Sequence, residues 1–151
     1  MKTKISLAII SLILLISACS EDKSKSLKIT LQASNNMYVV INKDSALVAT
    51  EPDAAKAEIF EKVRQPNGKW AIKTSKGKFI TDDRNKGNII RANRDVAYDW
   101  ELFEIIRTEP LRINLKASSG KFISADRDKE SVLIANRDAA GDWETFTIEK
   151  K

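Results

Sequence analysis

The sequence repeats itself with a fixed step, and that step limits the fold more than any other feature. "ANRDVAYDWELF", from Ala92, returns 43 residues later as "ANRDAAGDWETF", from Ala135. A fainter copy lies upstream. Ala49, Ala92 and Ala135 keep the same spacing, as do Glu58, Glu101 and Glu144, and Phe60, Phe103 and Phe146. The first halves also align: "ITLQASNNMYVV" from Ile29, "WAIKTSKGKFIT" from Trp70 and "INLKASSGKFIS" from Ile113. Each alternates apolar with polar residues, the period of a half-buried strand. Gly77 and Gly120 share one turn position, which Asn36 takes in the first copy. Glycine and asparagine tolerate positive φ, so one hairpin geometry is expected three times. The first copy is two residues shorter between Tyr38 and Ala49 than its counterparts, a change that a connecting loop absorbs.

Three units of about forty residues, each with room for about four short strands, leave few architectures. Most propellers need four or more blades of that length. Three copies closing on one another predict an all-β chain, a β-trefoil: a six-stranded barrel capped by three hairpins. The expected inward residues are Ile29, Leu31, Tyr38, Trp70, Ile72, Phe79, Ile113, Leu115 and Phe122, closed by Phe60, Phe103 and Phe146. No repeat buries its apolar face alone, so all three are needed for a core. The domain spans 27–151, with repeats at about 27–66, 67–109 and 110–151.

"LKASSGKFISADRDKESVLIANRDAAGDWETFTI" from Leu115 and "IKTSKGKFITDDRNKGNIIRANRDVAYDWELFEI" from Ile72 resemble the repeats of fascin-like β-trefoils, and the stretch from Leu31 matches in outline. The resemblance extends over the whole predicted domain. It implies the trefoil fold far more firmly than any activity, because one fold hosts many functions.

The amino terminus reads as a targeting segment. Lys2 and Lys4 precede an apolar run from Ile5 to Ile16, too short for a membrane span, then Ser17, Ala18 and Cys19. The ending Ile16-Ser17-Ala18-Cys19 resembles the lipobox of bacterial lipoproteins. That resemblance implies a signal peptide at 1–18, cleavage before Cys19, acylation of its thiol and attachment to a membrane through lipid. Residues 19–26 then form the acylated cysteine and a polar tether. Ser20 after the cysteine is similar to lipoproteins sent to a Gram-negative outer membrane, so the expected location is the cell envelope, periplasmic or surface-exposed. Cys19 is the one cysteine, so the exported domain is expected to hold no disulfide.

Composition removes several function classes. Cleavage lowers the formal charge from +5 to +3, mildly basic and far from a nucleic-acid footprint. The sequence has no histidine, which removes the commonest general base and metal ligand. The remaining acids in pairs, Asp82-Asp83 and Asp126 with Asp128, are expected on long polar loops with no apolar run to bury them. No catalytic residue is expected, and no metal or cofactor. "DRDKES" from Asp126 lacks the glycine and distal glutamate of a calcium loop, and "DDRNKGN" from Asp82 places Arg and Lys where ligands belong. Lys73, Lys76, Lys78, Lys116 and Lys121 are expected on an outward, solvated face or, more sharply, as weak attraction for an anionic polymer.

The repeated phrase itself has two readings. Asn93 and Asp95, like Asn136 and Asp138, fit a loop that braces its own backbone. Trp100 and Trp143 fit a lid on the barrel end whose N–H finds a carbonyl, with Arg94 and Arg137 stacked on the rings or paired with an acid. Alternatively the eight residues form two sugar sites, planar polar groups meeting hydroxyls beside a ring. Repeat 1 has Thr50-Glu51-Pro52 and Ala57 in their place, so it keeps neither.

The expected function is that of a non-enzymatic envelope module that binds a glycan or another extracellular polymer, an anionic envelope polymer among them. The alternative is protein–protein interaction, as a scaffold piece of an envelope complex with an unknown partner. Filament cross-linking, which the fascin resemblance implies, suits several trefoils in series rather than one.

Overall fold

The computed structural model describes residues 26–151; the expected signal peptide, Cys19 and most of the tether lie outside the described residues. The alternating stretches form four strands per repeat. Repeat 1 holds β1 (Leu27–Gln32), β2 (Tyr38–Ile41), β3 (Leu47–Glu51) and β4 (Phe60–Arg64). Repeat 2 holds β5 (Trp70–Lys73), β6 (Phe79–Asp83), β7 (Ile89–Arg94) and β8 (Leu102–Glu109). Repeat 3 holds β9 (Arg112–Lys116), β10 (Phe122–Asp126), β11 (Val132–Arg137) and β12 (Thr145–Lys150).

Antiparallel pairing runs β1–β4–β5–β8–β9–β12 and then returns to β1. That ring is a six-stranded barrel, and closure leaves it without a free strand edge. The other six strands form the hairpins β2–β3, β6–β7 and β10–β11, which pair with one another over one end of the barrel. The chain is a β-trefoil.

Two sets of small residues hold the three repeats in register. Asn36, Gly77 and Gly120 have φ of 64°, 79° and 80°, and close three like turns. The aligned alanines do the second job. The amide of Ala49 donates to Ser131 O (2.9 Å), that of Ala92 to Ser45 O (2.7 Å) and that of Ala135 to Asn88 O (3.0 Å). Each repeat is thus pinned to the one before it in the ring. The accepting residues Ser45, Asn88 and Ser131 all have positive φ.

The core is led by Phe60, Phe103 and Phe146, each with no exposed surface. Burying a side chain of that size stabilises the fold by about 1.5–3 kcal/mol. Ile29, Leu31, Ile72, Ile113 and Leu115 point inward as the alternation predicts. Trp70, Phe79 and Phe122 do not: they are only half-buried. A β-bulge explains two of them. The pairing of each hairpin slips between Tyr38 and Val39, Phe79 and Ile80, and Phe122 and Ile123. The extra residue hands the core position to Val39, Ile80 and Ile123, which are fully buried. The displaced Phe79 and Phe122 rings lie beneath Lys73 (5.4 Å) and Lys116 (5.5 Å). Trp70 lies beneath Lys62 (4.8 Å) and Arg64 (4.9 Å). Tyr38 stays buried and donates its hydroxyl proton to Glu149 Oε1 at 2.7 Å. That bond, helped by burial, raises the Tyr38 pKa; together with Lys151 it lowers that of Glu149.

Candidate functional site

The repeated phrase ends β7 and β11, crosses a short loop and makes one 3-10 turn, Asp99–Glu101 or Asp142–Glu144, before β8 and β12. The brace of this loop is glutamate. Glu101 Oε2 accepts from the Tyr98 amide and Glu144 Oε2 from the Gly141 amide, both at 2.8 Å. Their other oxygens face Arg94 Nε (3.6 Å) and Arg137 Nε (3.7 Å). Both glutamates are buried; the amide hydrogen-bonds each carboxylate, and the guanidinium, too far for a hydrogen bond, balances its charge. Asn114 Nδ2 adds a bond to Glu144 O at 3.0 Å.

The bracing role expected of asparagine and aspartate is therefore corrected. Asn93 and Asn136 lie within β7 and β11 rather than in a loop. Strand alternation turns them outward from the buried Ala92 and Ala135, and among the described residues neither side chain forms a hydrogen bond. Asp95 and Asp138 form ion pairs with Lys78 and Lys121 instead of accepting backbone amides. Four of the five lysines expected on a solvated face thus have a partner: Lys73 and Lys116 over rings, Lys78 and Lys121 with acids.

The tryptophans are also less buried than a lid requires. Trp143 is 41% exposed, and Arg127 and Arg137 stand over its ring at 4.9 and 5.8 Å. Trp100 is half-buried beneath Arg84 at 5.4 Å. Among the described residues, neither indole N–H has a hydrogen-bond acceptor. In repeats 2 and 3 the expected lid is instead an arginine-backed ring at the surface.

Repeat 3 brings its expected residues together and repeat 2 does not. Asn136, Arg137, Asp138 and Trp143 line one open depression of about 580 Å³, with Ala139, Asp142 and Glu144. The matching depression in repeat 2, about 480 Å³, is lined by Arg94, Tyr98, Asp99, Trp100 and Glu101. Asn93 and Asp95 stand outside it. Tyr98 takes the place of Gly141 and presents its phenol ring where repeat 3 is open.

The paired acids lie elsewhere than expected. Asp82, Asp83 and Asp126 are buried at the ends of β6 and β10, while Asp128 is exposed in the following turn. Each buried acid has structural work. Asp82 Oδ1 accepts from Asn88 Nδ2 (2.9 Å), Asp83 faces Arg91 (3.9 Å), and Asp126 Oδ1 accepts the Asp128 amide (3.0 Å). These contacts extend the strands into what polarity alone marks as loop, and they put Arg84 and Arg127 in position over the tryptophans.

Comparison with solved structures gives the class. The designed 3-fold symmetric protein ThreeFoil superposes with a TM-score of 0.69 at 12% identity, over 80% of this chain and 96% of that one. The BEL β-trefoil matches at 0.69 and 11% identity, over 83% and 93%. The GlcNAcα1-4Gal releasing endo-β-galactosidase from Clostridium perfringens matches at 0.69 and 10%, over 83% of this chain and 32% of that one. All three share the fold. The Fascin domain family model matches residues 12–105, and the chain belongs to that family. A model described as a domain of unknown function (DUF7910) matches residues 70–151, the span of repeats 2 and 3. No curated protein matches the sequence.

Proposed function

We propose that this chain is a non-enzymatic binding module of the cell envelope, lipid-anchored through Cys19, that holds an extracellular glycan or similar polymer in the repeat 3 depression. The observation that carries this is the convergence there of an uncommitted amide, Asn136, with an exposed indole, Trp143. The amide matches paired sugar hydroxyls, and the indole offers a surface for the apolar face of a ring. Arg127 and Arg137 stand over that indole, and with Asp138, Asp142 and Glu144 also in the lining the depression carries both signs of charge. Glu144, the one acid buried at the site, is tied to Gly141 and Arg137 and holds the loop still. One structural neighbour is named for releasing GlcNAcα1-4Gal, so this fold occurs within a protein that meets glycans.

The test is a glycan array probed with the intact chain in detergent, as wild type and as Trp143→Ala. Saturable binding that Trp143→Ala abolishes while leaving the melting temperature in place is the expected result. No binding to any glycan overturns it. A protein partner is then favoured, and Val96 (53% exposed) and Tyr98 (73% exposed), neighbouring apolar groups on the repeat 2 loop, are where it would dock.

A further inference from the structure

A separate cavity opens where repeat 1 meets repeat 2, and only Ala92 and Asn93 of the repeated phrase reach it. It encloses about 550 Å³ between the loop 42–45, the turn 74–78 and the end of β7. Its charged and polar lining includes Lys43, Lys76, Asn42, Asn93 and Glu58, with Ile41 as apolar floor. The walls are fixed by bonds within the fold. Asn42 Oδ1 accepts the amides of Asp44 (2.9 Å) and Ala46 (3.0 Å), and the Ala92 amide donates to Ser45 O (2.7 Å). Glu58 Oε1 accepts the Ser75 amide at 2.7 Å, which ties repeat 1 to the turn of repeat 2.

The pseudo-symmetry explains why the charge here is free. Lys43 occupies the position of Arg84 and Arg127, whose guanidinium groups rest on Trp100 and Trp143. Repeat 1 has Ala57 where those rings stand, so Lys43 has no indole to cover. Lys76 occupies the position of Ser119 in repeat 3, which adds a second cation to this junction. Among the described residues neither lysine forms an ion pair, whereas Lys78 beside them is neutralised by Asp95. Asn42 has committed its oxygen to the backbone, so its NH₂ remains to donate. Asn93 has both its amide groups free.

We infer that this cavity binds an oxyanion carried on a hydroxylated ring: an acidic sugar, or a sugar sulfate or phosphate. Two ammonium groups meet the oxyanion, and the amides donate to its oxygens or to ring hydroxyls. Glu58, whose second oxygen is uncommitted, accepts from a hydroxyl. That same carboxylate disfavours a cluster of several negative charges, which points to one anionic group per ring. The site is independent of the repeat 3 depression and shares no residue with it.

Isothermal titration of the intact chain in detergent tests the assignment, with galacturonate, galactose 6-sulfate, glucose 6-phosphate, neutral galactose, and inorganic phosphate and sulfate as separate ligands. At least one charged sugar is expected to bind saturably and galactose not at all, and which one binds identifies the oxyanion. The double variant Lys43→Gln/Lys76→Gln is expected to weaken that binding about tenfold or more, while Lys86→Gln, an exposed lysine outside the cavity, leaves it unchanged. Both lysines are exposed and glutamine keeps the first half of their aliphatic stem, so thermal melting should not move. Absence of binding by every charged sugar, equal binding of galactose, or binding unchanged in the double variant overturns the proposal. Inorganic phosphate or sulfate binding as tightly as the sugar esters also overturns it, since the ring would then contribute nothing.

Discussion

Repeat 1 and repeat 3 share a barrel, a hairpin and a core phenylalanine, yet they treat one shared glutamate differently. In repeat 3, Glu144 folds back on its own loop and pairs with Arg137. In repeat 1, Glu51 stands where that arginine would be, and Glu58 reaches outward to the Ser75 amide of repeat 2. With the arginine and the tryptophan both replaced, the loop of repeat 1 makes its 3-10 turn earlier, over Ala54–Lys56, capped by Asp53. The barrel residues tolerate no such drift. Constraint from the threefold core and freedom in the outer loop are separable in this fold, and the loop is where the repeats have diverged.

Substitutions can break or sharpen that contrast. The core should respond alike in all three repeats. Phe60→Ala, Phe103→Ala and Phe146→Ala are each expected to cost about 3–5 kcal/mol, read from urea unfolding of the intact chain. A spread wider than about 2 kcal/mol among them would show that the core is not threefold in energy. The loop glutamates should respond unequally. Glu101→Ala and Glu144→Ala leave an amide and an arginine without their partner and are expected to lose about 1–3 kcal/mol, whereas Glu58→Ala loses about 1 kcal/mol. Equal losses would mean that the arginine contributes nothing. At the hairpin turns, Gly77→Ala and Gly120→Ala force a side chain into positive φ and should cost about 1–2 kcal/mol each, while Asn36→Gly in repeat 1 should be close to neutral. The smallest effect concerns pH. Glu149 has a lowered pKa in the fold, so its contribution is present above about pH 4 and fades as pH falls through the folded value. Tyr38 has a raised pKa, so its contribution is present below about pH 10 and fades as pH rises through the folded value. Tyr38→Phe should therefore flatten the stability profile at both ends.

Spacing carried most of the fold. A constant step between alanines, glutamates and phenylalanines is what closed pseudo-symmetry requires; the alanine and phenylalanine columns have a threefold place in the structure, and the glutamates share one in repeats 2 and 3. The bulge was not legible, because Phe79-Ile80 and Phe122-Ile123 are apolar at both positions and alternation alone cannot choose between them. The buried aspartates were hidden by their own polarity, since their partners Asn88 and Arg91 become neighbours only once the hairpin has formed. The glutamate brace left a signal that spacing alone did not interpret. Arg94 and Arg137 each precede their glutamate by seven residues, and repeat 1 lacks the arginine and the tryptophan together. Residues that disappear as a set act as a set. The cavity at the first junction left no such trace, because it is made of turns whose approach depends on ring closure.

Ring closure also sets how the chain must fold. The first strand of the barrel, β1, pairs with the last, β12, Ile29 opposite Lys150. Contacts this distant in sequence are entropically expensive to form, so the domain belongs with slow folders. A ribosome must release nearly the whole chain before the sixth stave is available, and until then the apolar faces of the first two repeats have nothing to close against. The same adjacency makes the two ends of the domain interchangeable with any surface turn: sealing them together and cutting at the turn around Gly68 would reorder the synthesis while leaving every strand its neighbours.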